Sequence, residues 1–429
     1  MTDYSQSSIN VQNESILMSW RFHAASVNLR QFVSFMRMMH TKRPVNIERI
    51  ESMGLLAVKL AQAYALRSDF LPSAKTKKLQ TLYQKAAEIP SEDSQRWLHQ
   101  KAPEQFFDRI DQIDPEPFAS ASVGQVHHAI LDGEREVVVK IIKGEFERTF
   151  RRDLKRLRRY FRMMLMMYPR LGRVANPMGV LRHVEQYTLA ELDLRNEIEG
   201  AKVLEKIRDE MATKFPMPRL NVPTFHEDLS NRWILVSDLI EGPTMEERLS
   251  TGQASWDDLL DLFRIQGAFM FGIGTFHGDL HPGNVILQDD GSFFFLDNAA
   301  VSTAPERVRK SLYGFFDHLS RGHLEASYES LLGMSVVEIQ GKRLERYRSG
   351  MATLYDGFVG TTVAETSLTR QMMETVKMAV RAGCKFDEQT FPVIKSLMFM
   401  DGMVLRASPE IDLITQMGPA LDEFKKVTT

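Results

Sequence analysis

Apolar and polar residues follow two periods along this chain, and the helical period dominates. Apolar positions three and four residues apart predict helices over residues 15–47, 47–66, 145–167, 178–206 and 259–276. Two-residue alternation predicts strands over 122–130, 137–142, 222–225, 233–236, 285–287 and 293–296, with tight turns at 131–133 and 289–291. The order of these elements predicts an α/β (α+β) protein in which a small antiparallel sheet precedes a helical region.

Composition sets limits on this picture. Of the 429 residues, 43% are hydrophobic and 26% charged, as in an ordinary globular protein with room for two lobes and an extension. The net charge of −2 gives no general attraction to nucleic acid, and the single cysteine, Cys384, excludes an internal disulfide. No apolar run reaches the about 20 residues that cross a bilayer, and the N-terminus lacks the apolar core of a signal peptide. We therefore expect a cytoplasmic protein.

Two segments concentrate positive charge. Residues 15–47 carry five cations and no acidic residue, and residues 148–162 carry eight cations against Asp153 alone. Each segment has an apolar stripe, so each is an amphipathic helix that either packs on the protein's own core or lies on an anionic membrane surface. Packing on the core is slightly favoured for the first segment. The second has more charge than solubility requires, which indicates an anionic partner or a membrane surface. For a cytoplasmic protein that surface would be the inner membrane, contacted peripherally.

The candidate chemistry centres on residues 277–284, which we call the catalytic loop. Asp279 and Asn284 are five residues apart in this loop, and Asp297 follows after a predicted hairpin. This spacing is typical of kinase-like phosphoryl-transfer sites, where one carboxylate handles the proton of the nucleophile. The asparagine and the second carboxylate hold Mg²⁺ against the nucleotide phosphates. The sequence therefore predicts Asp279 as the catalytic acid–base group and Asn284 with Asp297 as the metal ligands.

Two further segments fit a nucleotide site. Lys140 lies on a predicted strand, on the opposite face from Val139, where it can contact phosphate oxygens. Glu197 on the following helix is its expected carboxylate partner. Upstream, a loop of alanines and serines stands where a kinase carries its glycine-rich loop, and its hydroxyl and backbone N–H groups can bind phosphate. The predicted nucleotide-binding residues are Ala119, Ser120, Ala121, Ser122, Gln125, Lys140 and Glu197.

Taken together, these motifs resemble the UbiB (AarF-type) family of atypical kinase-like proteins. The lysine motif of that family appears as Lys59-Leu60-Ala61-Gln62, with its extension at 67–72. The alanine-rich loop appears at 119–122, and the Glu-x-Asp element appears as Glu191-Leu192-Asp193. The resemblance covers roughly residues 50–300.

The resemblance implies a protein-kinase-like two-lobed fold with a helical extension packed over the active-site cleft. The implied segments are an extension over 1–110, a small lobe over 111–242 and a large lobe over 243–429. Implied ligands are Mg²⁺ and ATP or ADP, and implied partners are a lipid or quinone precursor. The family's lysine motif and Glu-x-Asp element restrain access to the cleft, which assigns gating roles to Lys59, Gln62, Glu191 and Asp193.

The chain departs from the family pattern at three places. Ala61 replaces the glycine of the lysine motif, and because alanine favours a helix by about 1 kcal/mol the helix should persist. Asn298-Ala299 replaces the Phe-Gly that usually follows the metal aspartate, and Gly200 stands where the family often has asparagine. The family's membrane-spanning C-terminal segments are also missing, since Asp401 interrupts the apolar run over 397–404.

Three other interpretations remain open at this point. A small-molecule phosphotransferase of the aminoglycoside or choline kinase type has a similar catalytic loop. A pseudokinase or lipid-binding scaffold would keep the fold and use nucleotide as a switch. A metal hydrolase could use His277, Asp279 and His281 as ligands. The sequence leaves the substrate and the oligomeric state open.

Overall fold

The chain divides into two compact units. The computed structural model describes residues 28–41, 43–65, 71, 73–80, 82, 90–120, 123–142, 144, 146–167, 177–386 and 389–427. The first unit comprises the described residues up to Asn196 together with Thr224–Leu239, and the second comprises Glu197–Pro223 and Ile240–Thr429. One boundary falls after Asn196, near the start of the helix Arg195–Met211. The first unit resumes at Thr224–Leu239, so each unit is made of two separate segments of the chain.

Several predictions concern residues outside those ranges. They are the N-terminal part of the basic segment over 15–27, residues 67–70 and Pro72 of the lysine-motif extension, and Ala121 with Ser122 of the alanine-rich loop. They stay predictions.

The first unit contains one sheet, and its helices precede or follow the first four strands along the chain. Its helices are α1 (Leu29–His40), α2 (Ile47–Glu51), α3 (Leu55–Ala65), α4 (Ser73–Gln80), α5 (Ser91–Lys101), α6 (Phe106–Arg109), α7 (Phe146–Met167) and α8 (Pro177–Glu191). Its strands are β1 (Ile110–Ile113), β2 (Ala119–Ser120), β3 (Gly124–Leu131), β4 (Arg135–Ile142) and β6 (Ile234–Asp238). The predicted strands over 122–130, 137–142 and 233–236 are confirmed within a few residues.

The sheet of the first unit is antiparallel throughout. Its order is β1-β3-β4-β6, with β2 pairing β3 beside Gln125 and Val126. A tight turn joins β3 to β4, where Asp132 and Gly133 adopt positive φ. One face of the sheet is buried, and Val137, Val139 and Ile141 on β4 form its core with residues of α5, α6 and β6.

Helix α1 packs its apolar face inside the first unit. Phe32 contacts the ring of Phe161 on α7 edge-on at 5.1 Å between centroids, and Phe35 contacts Tyr64 on α3 at 5.9 Å. Arg37 is exposed on the other side. For the described part of the first basic segment, the structure thus supports packing on the protein's own core.

Two helices predicted as continuous are interrupted. The helix over 47–66 is two helices, because Gly54 adopts a φ of +93° between α2 and α3. The second, α3, continues unbroken through the buried Ala61, as expected for alanine. The helix over 178–206 breaks after α8 at Leu192–Leu194, where the Leu194 backbone N–H donates to the Arg232 carbonyl instead of to its own helix.

The second unit is mainly helical, with one two-stranded and one three-stranded sheet. Its helices are α9 (Arg195–Met211, beginning in the first unit), α10 (Met245–Ser250), α11 (Trp256–Gly267), α12 (Glu306–Ser320), α13 (Leu324–Leu332), α14 (Lys342–Leu354), α15 (Leu368–Ala382), α16 (Thr390–Ala407), α17 (Leu413–Gln416) and α18 (Gly418–Phe424). Its strands are β5 (Leu220–Asn221), β7 (Thr275–His277), β8 (Val285–Leu287), β9 (Phe293–Phe295) and β10 (Val301–Thr303). A large apolar core joins them.

Two boundaries in the second unit differ from prediction. The helix over 259–276 ends earlier, since a π-helical turn over Ala268–Ile273 follows α11 and Gly274 terminates it at a φ of +91°. The remaining residues form β7, which pairs antiparallel with β10. The strand predicted over 222–225 is displaced to β5, which pairs in parallel with β9. The hairpin strands β8 and β9 lie where predicted.

Helix α16 is largely apolar but buries four polar side chains, those of Thr390, Lys395, Ser396 and Asp401. Asp401 accepts hydrogen bonds from the Ser367 hydroxyl and from the backbone N–H groups of Leu368 and Thr369, so it caps α15. Within the described part of the chain, no helix has both the length and the hydropathy needed to span a bilayer.

Candidate functional site

His277 anchors the catalytic loop from inside the second unit. Its side chain is fully buried, and Nε2–H donates to the Leu296 carbonyl at 2.9 Å. Its Nδ1 accepts from the backbone N–H of Asp279 at 3.2 Å. Burial lowers the pKa of the imidazole, so the ring is neutral with its proton on Nε2. Both ring nitrogens are therefore used to fix the residue before Asp297 and the backbone of Asp279.

This burial predicts a pH-dependent stability. Below about pH 6.5 the unfolded chain protonates His277, whereas the folded chain keeps the ring neutral until a lower pH. The free energy of unfolding should therefore fall as the pH decreases below that value, by at most about 1.4 kcal/mol per pH unit for this group. His281, whose pKa burial also lowers, adds an effect of the same sign. Urea unfolding at several pH values measures the slope, and His277→Gln should reduce it. Equal slopes in the two proteins would contradict this account.

Hydrogen bonds join Asp279, Asn284 and the residue before Asp297 into one arrangement. The Asn284 side-chain Nδ2 donates to the Asp279 carbonyl at 2.9 Å, and the Leu296 N–H donates to the Asn284 carbonyl at 2.9 Å. The short helical turn over Pro282–Asn284 holds the asparagine in place. Because Nδ2 is engaged, the Asn284 amide can offer its oxygen, Oδ1, to a cation. Oxygen atoms of amides and carboxylates are the protein ligands that Mg²⁺ prefers, so Asn284 and Asp297 fit a magnesium site.

Asp297 has an unusual backbone. Its φ and ψ are +55° and +49°, the left-handed region that non-glycine residues rarely adopt. The residue after it, Asn298, is fully buried and its Nδ2 donates to the Phe295 carbonyl at 2.9 Å. The hydrogen bond of Asn298 ties the turn after Asp297 to the end of strand β9.

Gly200 on α9 touches that same turn. A Cβ built on Gly200 would lie 2.0 Å from the Asn298 carbonyl oxygen and 2.8 Å from its carbon. No side chain fits such a gap unless the backbone moves. Two of the three departures from the family pattern, Gly200 and Asn298, therefore meet at a single contact beside the predicted metal ligand.

Most of the residues that the sequence predicts to contact the nucleotide belong to the first unit. Lys140 lies on β4 at a half-buried position, on the face opposite the buried Val139 and Ile141, as alternation predicts. Ala119 and Ser120 form β2, which pairs with β3. Gln125 is fully buried, and its Nε2 lies 2.7 Å from His127 Nε2, so its amide has a partner inside the protein.

The four predicted gating residues lie in the first unit, and two of them, Lys59 and Glu191, are paired. Lys59 on α3 forms an ion pair with Glu191 at the end of α8, and both side chains are largely shielded from solvent. Gln62 donates from Nε2 to the Leu82 carbonyl at 2.9 Å. Asp193 accepts from the Arg195 guanidinium at 2.7 Å, which lowers the pKa of the carboxyl group. The lysine motif and the Glu-x-Asp element thus contact each other through one pair of side chains.

Two predicted relationships span the two units. They are the pairing of Lys140 with Glu197 and the approach of Lys140 to Asp297. Both remain predictions, because each joins residues from different compact units.

The structure adds residues that sequence patterns missed. Gln266 on α11 donates from Nε2 to the His277 carbonyl and to the Ser396 hydroxyl, each at 2.8 Å. Lys395 lies 2.6 Å from Asp279. The one available signal was the pair of polar residues, Lys395 and Ser396, inside an apolar helical run.

The metal-hydrolase alternative gains no support. His281 accepts at Nδ1 from the Gly283 N–H at 3.1 Å, so it shapes the loop as His277 does. Over the residues that the structure describes, no group of three or more His, Cys, Asp or Glu side chains is placed to hold a metal ion.

Comparison with known proteins gives consistent matches. Residues 81–330 match a family described as the ABC1 atypical kinase-like domain. A probable protein kinase UbiB from Marinobacter nauticus is 24% identical over 391 residues, which cover 88% of this chain and 69% of the relative. A chloroplastic aarF domain-containing protein kinase of Arabidopsis thaliana, itself uncharacterized, is 24% identical over 390 residues, covering 85% and 72%. A Mycobacterium tuberculosis protein solved as an erythromycin complex aligns with a TM-score of 0.47 at 19% identity, covering 94% of this chain and 98% of that one.

Proposed function

The chain belongs to the ABC1 atypical kinase-like family, in keeping with its predicted UbiB-type resemblance and kinase-like α/β fold, and from that membership we propose that it binds MgATP or MgADP and catalyses phosphoryl transfer. One observation carries the proposal. Asp279 and Asn284 are hydrogen-bonded to each other, and Asn284 is bonded to the residue before Asp297. Kinase-like sites use these residue types, in this order and close together, to hold Mg²⁺ and to orient a nucleophile.

Each residue has a proposed role. Asn284 Oδ1 and the Asp297 carboxylate ligate Mg²⁺, which when bound neutralises charge on the phosphate oxygens. Lys140, held by Glu197, contacts the α- and β-phosphates. Asp279 orients the attacking water or hydroxyl and takes its proton as the new O–P bond forms. The bond from phosphorus to the bridging oxygen then breaks, and its electron pair leaves with ADP.

The alanine-rich loop and the lysine motif set access to the site in this proposal. Ser120 and Ser122 with nearby backbone N–H groups bind phosphate, and the alanines limit how far the loop can wrap it. Lys59, Gln62, Glu191 and Asp193 restrain entry of acceptors and the preference between ATP and ADP. The ion pair of Lys59 with Glu191 supports this role, because it ties the lysine motif to the Glu-x-Asp element.

Breaking the ion pair of Lys59 with Glu191 is expected to remove the restraint on entry of acceptors. Lys59→Ala and Glu191→Gln should each raise autophosphorylation, and each should change the ratio of ATP to ADP affinity by about fivefold or more. Transfer of labelled γ-phosphate and calorimetric binding of both nucleotides measure these effects. Lys202→Ala, which removes an exposed pair with Glu199, is the control. If Lys59→Ala behaves like that control, the gating role is wrong.

We also propose that the protein serves isoprenoid-quinone or other lipid-linked metabolism at an anionic membrane surface. Helix α7 supports this. Its buried stripe includes Phe150, Leu154 and Leu157, while its solvent side carries most of its arginines. Met166 and Met167 at its end are 75% and 68% exposed. Exposed apolar side chains beside cations suit an interface with anionic lipid.

Mg²⁺-dependent turnover tests the proposal directly. Phosphate release from ATP by the purified chain should require Mg²⁺, and transfer of labelled phosphate to water, protein and lipid extracts identifies the acceptor. A chain that neither binds ATP nor ADP in the presence of Mg²⁺ would overturn the proposed function.

A further inference from the structure

A buried lysine from the end of the chain is paired with the predicted catalytic aspartate. Lys395 Nζ on α16 lies 2.6 Å from Asp279 Oδ1, and the two side chains are 9% and 21% exposed. Both residues lie in the second unit. The contact is close, but its angles are not those of a hydrogen bond to Oδ1, so it is an ion pair held by charge. Removing a lysine and a carboxylate from water costs several kcal/mol per ion, and their mutual attraction offsets part of that cost.

Helix α16 contacts the catalytic loop at more than this point. Ser396 accepts a hydrogen bond from Gln266, whose Nε2 also holds the His277 carbonyl. Phe399, one turn after Lys395, meets the ring of His281 edge-on at 5.2 Å between centroids. Lys395 Nζ lies 5.5 Å from the centroid of the same Phe399 ring. Three neighbouring side chains of one helix face therefore support His277, Asp279 and His281.

The loop has no cation of its own. From Thr275 to Asp297 the sequence contains neither lysine nor arginine. Asp279 is a carboxylate that lies beside Asn284, a residue assigned to Mg²⁺. A positive charge at Asp279 must therefore come from elsewhere in the fold, and Lys395 supplies it.

We propose that Lys395 is a positioning residue for phosphoryl transfer, acting through Asp279. It rests on the proposed function. The ammonium group holds Oδ1 and fixes the rotation of the carboxylate. The second oxygen, Oδ2, is thereby left to accept the proton of the attacking group.

Steady-state kinetics separate positioning from nucleotide binding. Lys395→Met should lower kcat by about a hundredfold, the usual contribution of a placed acid–base group, while KM for MgATP changes by less than about threefold. Lys395→Arg keeps the charge and should retain more than about a tenth of the wild-type kcat. Lys310→Met is the control, because Lys310 forms an exposed pair with Glu306 in the same unit.

A double variant tests whether Lys395 acts through Asp279. In the Asp279→Asn background, the further change Lys395→Met should cost no additional kcat, since the two residues act as a unit. A full additional loss of kcat, or a wild-type kcat in Lys395→Met, overturns the inference while leaving the proposed function intact.

Unfolding measurements keep the test independent of turnover. The urea midpoints of the wild type, both single variants and the double variant form a cycle, and a true pair gives a double loss smaller than the sum of the single losses. If the wild type releases no phosphate, the proposed function fails, and this cycle still decides whether the pair forms. Additive losses overturn the inference.

Discussion

Asp297→Asn is expected to reduce kcat for Mg²⁺-dependent ATP turnover by about a thousandfold. The substitution removes the negative charge assigned to Mg²⁺ and keeps the size of the side chain. It also keeps the backbone, because asparagine, like aspartate, tolerates the left-handed conformation found at residue 297. A lower kcat can then be attributed to loss of the metal-binding carboxylate rather than to a displaced turn. Phosphate release at saturating MgATP measures it.

The chain offers a matched control. Among the described residues, Asp132 is the other non-glycine residue with positive φ, at +50°, and it lies in the turn between β3 and β4. Asp132→Asn makes the same chemical change in a similar backbone conformation, and it should leave kcat unchanged. Equal kcat in wild type and Asp297→Asn would remove the support for a catalytic metal site.

Gly200→Ala is expected to destabilise the protein by about 3 kcal/mol or more, a large effect for one methyl group. The added Cβ would approach the Asn298 carbonyl oxygen to 2.0 Å, and backbone atoms cannot rotate away as a side chain can. Either α9 or the turn after Asp297 must move. Because that turn orients the predicted metal ligand, affinity for MgADP should fall as well. Urea unfolding and calorimetric MgADP binding measure the two effects.

Gly402→Ala is the appropriate comparison. Gly402 is also a helical glycine in the second unit, on α16, and an added Cβ there meets no atom within 4 Å. The change should be neutral or stabilising by up to about 1 kcal/mol, because alanine is the better helix former. Similar losses in Gly200→Ala and Gly402→Ala would mean that the contact with Asn298 does not limit this position.

Local spacing predicted the parts of the site that lie close in sequence. Asp279, Asn284 and Asp297 are separated by a loop and a two-stranded hairpin, and the strands β8 and β9 formed where alternation placed them. Alternation also predicted the side of β4 on which Lys140 lies. Such features follow from backbone periods that residues within a few positions determine.

Helix interruptions were not predictable in the same way. The break at Leu192–Leu194 depends on a hydrogen bond to Arg232, far along the chain, and the early end of the helix before β7 depends on Gly274 and on pairing with β10. The contact of Lys395 with Asp279 is of the same kind. Sequence periodicity marks a polar residue in an apolar helix, but only the packed fold identifies its partner.

Helix α16 packs on the catalytic loop although it lies outside the matched family domain. The ABC1 match ends at residue 330, whereas α16 begins at Thr390. A protein shortened to the matched stretch would retain Asp279 yet lose Lys395, Ser396 and Phe399, and with them the scaffold beneath the loop. Some of the contacts that hold the catalytic loop therefore come from residues outside the matched domain.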